Sequence, residues 1–140
     1  MNWIVGSGKL RYSPEKPNAI KRNNPWWIVV DIDRSIQKYY GHWINNIISP
    51  PWLIKRKLIQ TPLWGGHITV LDGRQEPPLE NQQHWGKYHN LEINFEYSVE
   101  IEHHWKFWVL PVKCKKLNDI RKELGLNEDY PFHITIGRDD

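Results

Sequence analysis

From Leu91 to Glu102 the chain alternates without a break. Leu91, Ile93, Phe95, Tyr97, Val99 and Ile101 are apolar, and Glu92, Asn94, Glu96, Ser98, Glu100 and Glu102 between them are polar. Successive side chains of a strand point to opposite faces, so a period of two demands a sheet with one face in a core and the other in water. Wound as a helix, the same residues would scatter their apolar groups around the axis. A second apolar run, Trp105 to Val112, follows at once, so a turn is expected near 100–104 although no Gly or Pro marks it.

Around this sheet a strand–helix–strand pattern occurs twice. Trp26-Trp27-Ile28-Val29-Val30-Asp31-Ile32 is short, apolar and β-branched, and reads as a buried strand. A helix follows, with Asp33 or Ser35 as its cap and one apolar stripe through Ile36, Tyr39, Tyr40, Trp43, Ile44 and Ile47. Ser49-Pro50-Pro51 ends it, a basic stretch from Leu53 to Gln60 is compatible with a further strand, and an apolar strand is expected near 66–71. Residues 72–90, with Asp-Gly, Pro-Pro and repeated Asn, Gln and His, read as a loop. In the second copy, the strand at 105–112 leads to a short amphipathic helix through Leu117, Ile120 and Leu124, closed by Gly125, and then to a last strand. The copies span 26–71 and 105–137. Facing each other, they would bring their final strands to one cleft by pseudo-two-fold symmetry. Residues 1–24 are expected to form a polar lead segment. Its Gly6-Ser7-Gly8-Lys9 lacks the first glycine of a nucleotide-triphosphate loop and has Leu10 where Ser or Thr belongs, which excludes that motif.

Each final strand carries the same triplet, His67-Ile68-Thr69 in the first and His133-Ile134-Thr135 in the second. The whole chain has seven histidines and three threonines in 140 residues, so two such pairs are far more than chance gives. On a strand, residues i and i+2 share a face, so each His stands beside its Thr while the isoleucine faces the core. Imidazole titrates near neutrality and serves as acid or base, and a hydroxyl donates to a charged oxygen. Two such pairs suit acid–base chemistry at a phosphate.

Size and composition narrow the field. The length suits a single domain, residues 1–140, with a sizeable core. No apolar stretch is long enough for a transmembrane helix, and the first residues lack the layout of a signal peptide, so no membrane partner is expected. A lone cysteine, Cys114, fits a reducing cytoplasm and reads as structural. Net charge is +3, compatible with an anionic ligand, but Glu92, Glu96, Glu100 and Glu102 interrupt any long basic track. That favours a short substrate over a long duplex. Nine tryptophans can stack on bases or fill the core. His103 and His104 are neighbours and point to opposite faces, while His84 and His89 lack a cysteine or carboxylate cluster, so neither a metal nor a cofactor is expected.

Over roughly residues 26–137 the chain resembles the two-histidine (2H) phosphoesterase superfamily. Pro131-Phe132-His133-Ile134-Thr135-Ile136-Gly137-Arg138 is similar to the family's His-h-Thr-h-x-Arg ending, and the Trp-Ile-Val-Val-Asp-Ile strand with its helix resembles the opening unit. The strand from Trp105 to Val112 also has a counterpart there. The resemblance implies an α+β fold of antiparallel sheets, two lobes with helical cover related by pseudo-two-fold symmetry around a central cleft. The superfamily includes bacterial RNA 2′,3′-cyclic phosphodiesterases, RNA-repair enzymes, and phage nucleases that destroy the cyclic nucleotide signals of CBASS immunity. In compactness and tryptophan content the chain looks more like the small phage branch, although it is shorter than typical bacterial members and carries the extra N-terminal segment. The expected activity is thus metal-independent cleavage of a cyclic oligonucleotide in a host cytoplasm. Opening of 2′,3′-cyclic phosphate RNA ends is the alternative, and a nucleotide-binding sponge without turnover is a third. His67 and His133 are the expected acid–base pair, and Thr69 and Thr135 hold the phosphate. Trp64, Arg11, Tyr12, Lys106 and Arg138 are the candidate substrate-binding residues. The sequence does not fix the oligomeric state.

Overall fold

In the computed structural model, residues 2–13, 26–48, 66–75 and 82–139 are described. Strands β1 (Trp3–Ser13), β2 (Trp27–Ile32), β3 (His67–Asp72), β4 (Glu92–Ser98), β5 (Glu102–His104), β6 (Phe107–Lys113) and β7 (His133–Arg138) form one sheet in the order β4-β1-β2-β3-β7-β6-β5. Every pairing among the described residues is antiparallel, and β4 also pairs with β6 at Glu96↔Lys113 and Tyr97↔Val112. Six strands therefore close on themselves, with β5 hung on β6 as a hairpin. The helices are α1 (Arg34–Ile48), between β2 and β3 in the chain, and α2 (Lys115–Glu123), between β6 and β7.

Alternation sorts the sheet into an apolar and a polar face. Leu10, Ile28, Val30, Ile68, Leu110, Ile134 and Ile136 are fully buried on the first, joined by Ile93, Phe95 and Tyr97 of β4. The helices press their apolar stripes onto this face. Leu117, Ile120 and Leu124 of the α2 region are buried, as is Ile44 of α1, and the Tyr40 ring meets that of Tyr97 at 6.2 Å. Asp33 caps α1, its carboxylate accepting from the Ser35 N–H at 2.8 Å. Only half of the expected α1 stripe is covered, because Tyr39, Trp43 and Ile47 remain exposed. Gly125 closes α2 with φ 77°, the left-handed conformation that favours glycine.

Two parts of the chain differ from expectation. Residues 3–13 are not a lead segment but the longest strand, bonded to β2 on one side and β4 on the other. Gly8 is required there: a Cβ would lie 2.5 Å from the Asp31 carbonyl oxygen and 2.7 Å from Val30 Cγ1. The turn expected near 100–104 becomes a bend at 99–100, the short strand β5, and a two-residue turn at Trp105–Lys106. Within the stretch read as loop, Trp85 is buried against Tyr12 at 5.3 Å and Trp26 at 6.0 Å. Cys114 is buried with Sγ toward the Asn94 carbonyl, and burial pushes its thiol pKa up, in keeping with a structural role. The stretch from Leu53 to Gln60 lies outside the described residues.

Candidate active site

Both histidine–threonine pairs reach one face of one sheet. β3 and β7 run antiparallel and meet with Ile68 opposite Ile134, both fully buried. One step to either side sets His67 opposite Thr135 and Thr69 opposite His133, on the face away from the isoleucines. Facing residues have Cβ atoms about 4.5–5.5 Å apart, and diagonal ones such as His67 and His133 about 7–8 Å. That spacing accommodates one phosphate between two imidazoles, with a hydroxyl beside each. All four side chains are half-buried.

The neighbouring strands extend the site in rows. Along one row Glu92, Lys9, Asp31 and His67 face each other in turn, and Val109 and Glu102 continue it beyond Thr135. Along the next, Arg11 faces Val29, Val29 faces Thr69, and Pro111 faces His133. Val29 and Val109 are buried, an apolar floor beside the four polar groups. Carboxylates close the first row at both ends, through Glu92 and Glu102.

The two histidines have different partners. His133 Nδ1 lies 3.0 Å from the Pro131 carbonyl oxygen. A carbonyl only accepts, so Nδ1 carries a proton, and Nε2 is the nitrogen through which this ring can take one up. His67 instead has Asp31 as its register neighbour. That carboxylate accepts two hydrogen bonds from Arg11, at 2.8 and 3.2 Å, and so raises the pKa of the guanidinium. Asp31 was missed in the sequence, where its signal is that of a lone carboxylate in an otherwise apolar strand.

The secondary candidates separate. Arg11 is on the site face, two strands from Thr69 or about 10 Å at the usual strand spacing. Tyr12 is not: alternation turns it to the apolar face, where it is 2% exposed and packs on Trp85, so its part is in the core. Burial pushes its phenol pKa up. Lys106, within the strand expected from Trp105 to Val112, sits instead in the β5–β6 turn, with Nζ 5.0 Å from the Trp105 ring centroid. Trp64 lies outside the described residues.

Arg138 reaches the site face through an irregularity. Thr135 faces Val109 but Gly137 faces Trp108, so Ile136 is an extra residue in β7. Ile136 and Gly137 are both buried, and Arg138 returns to the quartet's face opposite Phe107.

Among the described residues no group of three or more His, Cys, Asp or Glu is placed to hold a metal ion. His103 bonds Asp139 at 2.7 Å and stacks on Trp108 with centroids 3.8 Å apart, and His104 bonds Glu102 at 2.7 Å. No described helix is long and apolar enough to cross a membrane.

An α+β sheet that presents two His-x-Thr pairs from adjacent strands defines a phosphoester hydrolase of the two-histidine class. The family described as "Swiss Army Knife, 2H phosphoesterase domain" matches residues 26–140, and the chain belongs to it. It is accordingly a phosphodiesterase-type enzyme. Neither the curated proteins nor the solved structures include a significant match to the chain.

Proposed function

We propose that the protein cleaves a cyclic oligonucleotide by metal-independent acid–base catalysis, in the manner of enzymes that destroy immune nucleotide signals in a host cytoplasm. The observation that carries this is the Ile68↔Ile134 pairing, which gathers His67, Thr69, His133 and Thr135 on one half-buried face. In a 3′–5′ linkage, His133 Nε2 takes the proton of the ribose 2′-hydroxyl as its oxygen attacks phosphorus. His67 gives a proton to the departing 5′-oxygen, leaving a 2′,3′-cyclic phosphate and a 5′-hydroxyl. The Nδ1–H bond to the Pro131 carbonyl supports His133 as base, which leaves His67, opposite Asp31, as the acid. Thr69 and Thr135 donate to the non-bridging oxygens where charge develops. Glu92 and Glu102 at the two ends of the central row support a short substrate, because a long polyanion lying across the strands would have to pass them.

We also propose that the units β2–α1–β3 and β6–α2–β7 are related by a pseudo-two-fold axis near Ile68 and Ile134. The strand order supports this, since β1-β2-β3 on one side is matched by β4-β6-β7 on the other.

The test is product analysis in excess EDTA, with cyclic di- and trinucleotides and RNA ending in a 2′,3′-cyclic phosphate, for the wild type, His67→Ala and His133→Ala. Cleavage of a cyclic oligonucleotide, lost in both variants, is expected. Opening of cyclic phosphate ends alone would make the protein an RNA-repair enzyme. Tight binding with no product would make it a sponge.

A further inference from the structure

The β5–β6 hairpin is a feature that phosphate chemistry does not need. Trp105, first residue of its two-residue turn, has φ 55°, a conformation that bulky side chains rarely adopt and that turns of this kind give to glycine. Its indole is nevertheless 78% exposed, so no core packing holds it there. Phe107, also exposed, closes the hairpin opposite His104. Alternation along β6 sets Phe107 on the same face as Val109, and hence on the face of Thr135 and the histidines. The β7 irregularity turns Arg138 to that face directly opposite Phe107. From Thr135 to the Arg138–Phe107 pair is two ladder steps, roughly 7 Å along the strands, the reach of one nucleotide. Lys106 adds a second positive charge at the tip, beside the indole.

We propose that Trp105, Lys106, Phe107 and Arg138 form a subsite for the nucleotide next to the scissile phosphate, so that the substrate is an oligonucleotide and not a mononucleotide. The aromatic rings stack on a base and the cations take the adjoining phosphate. The inference rests on the quartet acting on a nucleotide phosphodiester, and it deepens that reading by fixing the direction in which the substrate extends. Continuity with the site face and the pairing of exposed rings with cations are what commit it to a nucleotide.

Binding separates the two ideas. Fluorescence anisotropy is measured with two labelled 2′-O-methyl probes, a nucleoside 3′-monophosphate and the dinucleotide that extends it by one nucleotide, which lack an attacking hydroxyl and are not turned over. The wild type is expected to bind the longer about tenfold more tightly, the scale of one stacked base. Trp105→Ala and Phe107→Ala are each expected to remove most of that gain, and Trp105→Phe to keep it. A wild type with no preference for length, or a preference that survives both alanine variants, overturns the subsite even if cyclic nucleotides are hydrolysed. A length preference lost in both variants supports it even if no hydrolysis is found, in which case only the catalytic reading fails.

Discussion

At the scale of single residues, function and stability fall on different side chains. His67 and His133 are half-buried on a polar face and contribute little to the core, so His67→Ala and His133→Ala should melt within a few degrees of the wild type. Activity should fall by about 10²–10⁴-fold in each, the usual worth of a positioned acid or base. Thr135→Val keeps the shape and removes one donor, and about 10²-fold is expected. Turnover rates beside thermal melts decide this, and an alanine variant that is both folded and fully active would sink the assignment. Asp72 tests electrostatics instead. The Arg74 guanidinium, bonded to it at 3.0 and 3.1 Å, holds its carboxyl below the usual carboxylate range. The pair's stability is therefore present above the unfolded carboxylate value, about 3.9, and is lost as pH falls through the lower folded value. Urea midpoints of wild type and Arg74→Ala should differ near neutrality and converge in acid, and a gap independent of pH would contradict this. The triplets themselves were legible because chance does not make two of them. Tyr12 was misread because a tyrosine beside Lys9 and Arg11 looks exposed until the strand that alternates them is known.

Among the elements, the long alternation, both helices and both His-x-Thr strands could be read directly, since each has a strong period or a stop signal. β1 was hidden by its own composition: Gly6, Ser7 and Gly8 look like loop, and the glycine that breaks the pattern is there because β2 passes too close for a Cβ. β5 was hidden because Glu102, His103 and His104 are all polar and exposed, paired on one side only. The attachment of α2 to β3 was equally invisible. Arg121 is 1% exposed, donates from its side chain to the Val70 carbonyl at 2.8 Å and the Asn127 carbonyl at 2.7 Å, and lies over the Tyr130 ring at 4.2 Å. A sequence shows only another arginine on a helix. Arg121→Met keeps the apolar stem but removes both donors, and a loss of about 2–4 kcal/mol is expected from two charge-assisted bonds to backbone carbonyls, the one to Val70 buried. Chemical denaturation measures it, and a loss under about 0.5 kcal/mol, the range of an ordinary surface change, would mean the bonds do not tie helix to sheet.

For the molecule as a whole, strand order was the part no local pattern could supply, because pairing is decided by which apolar faces meet far apart in sequence. The family match begins at residue 26, after β1 has ended. Yet β1 joins β2 to β4 through two full ladders and buries Leu10 and Tyr12 completely or nearly so. Without it, β2 and β4 would both become open edges, and the apolar face beneath would meet water. Each large buried side chain is worth about 1.5–3 kcal/mol, and two ladders of backbone bonds go with them, against a total stability of about 5–15 kcal/mol for a domain. A fragment of residues 26–140 should therefore lack a cooperative thermal transition, show weakened far-UV circular dichroism and lose activity, although it holds both His-x-Thr triplets. Added back as a peptide, residues 1–25 should restore part of the β signal by pairing between the two open edges. A fragment that melts cooperatively at the temperature of the full chain would mean that the family's sheet closes without β1, and that this strand is an addition to a fold already complete.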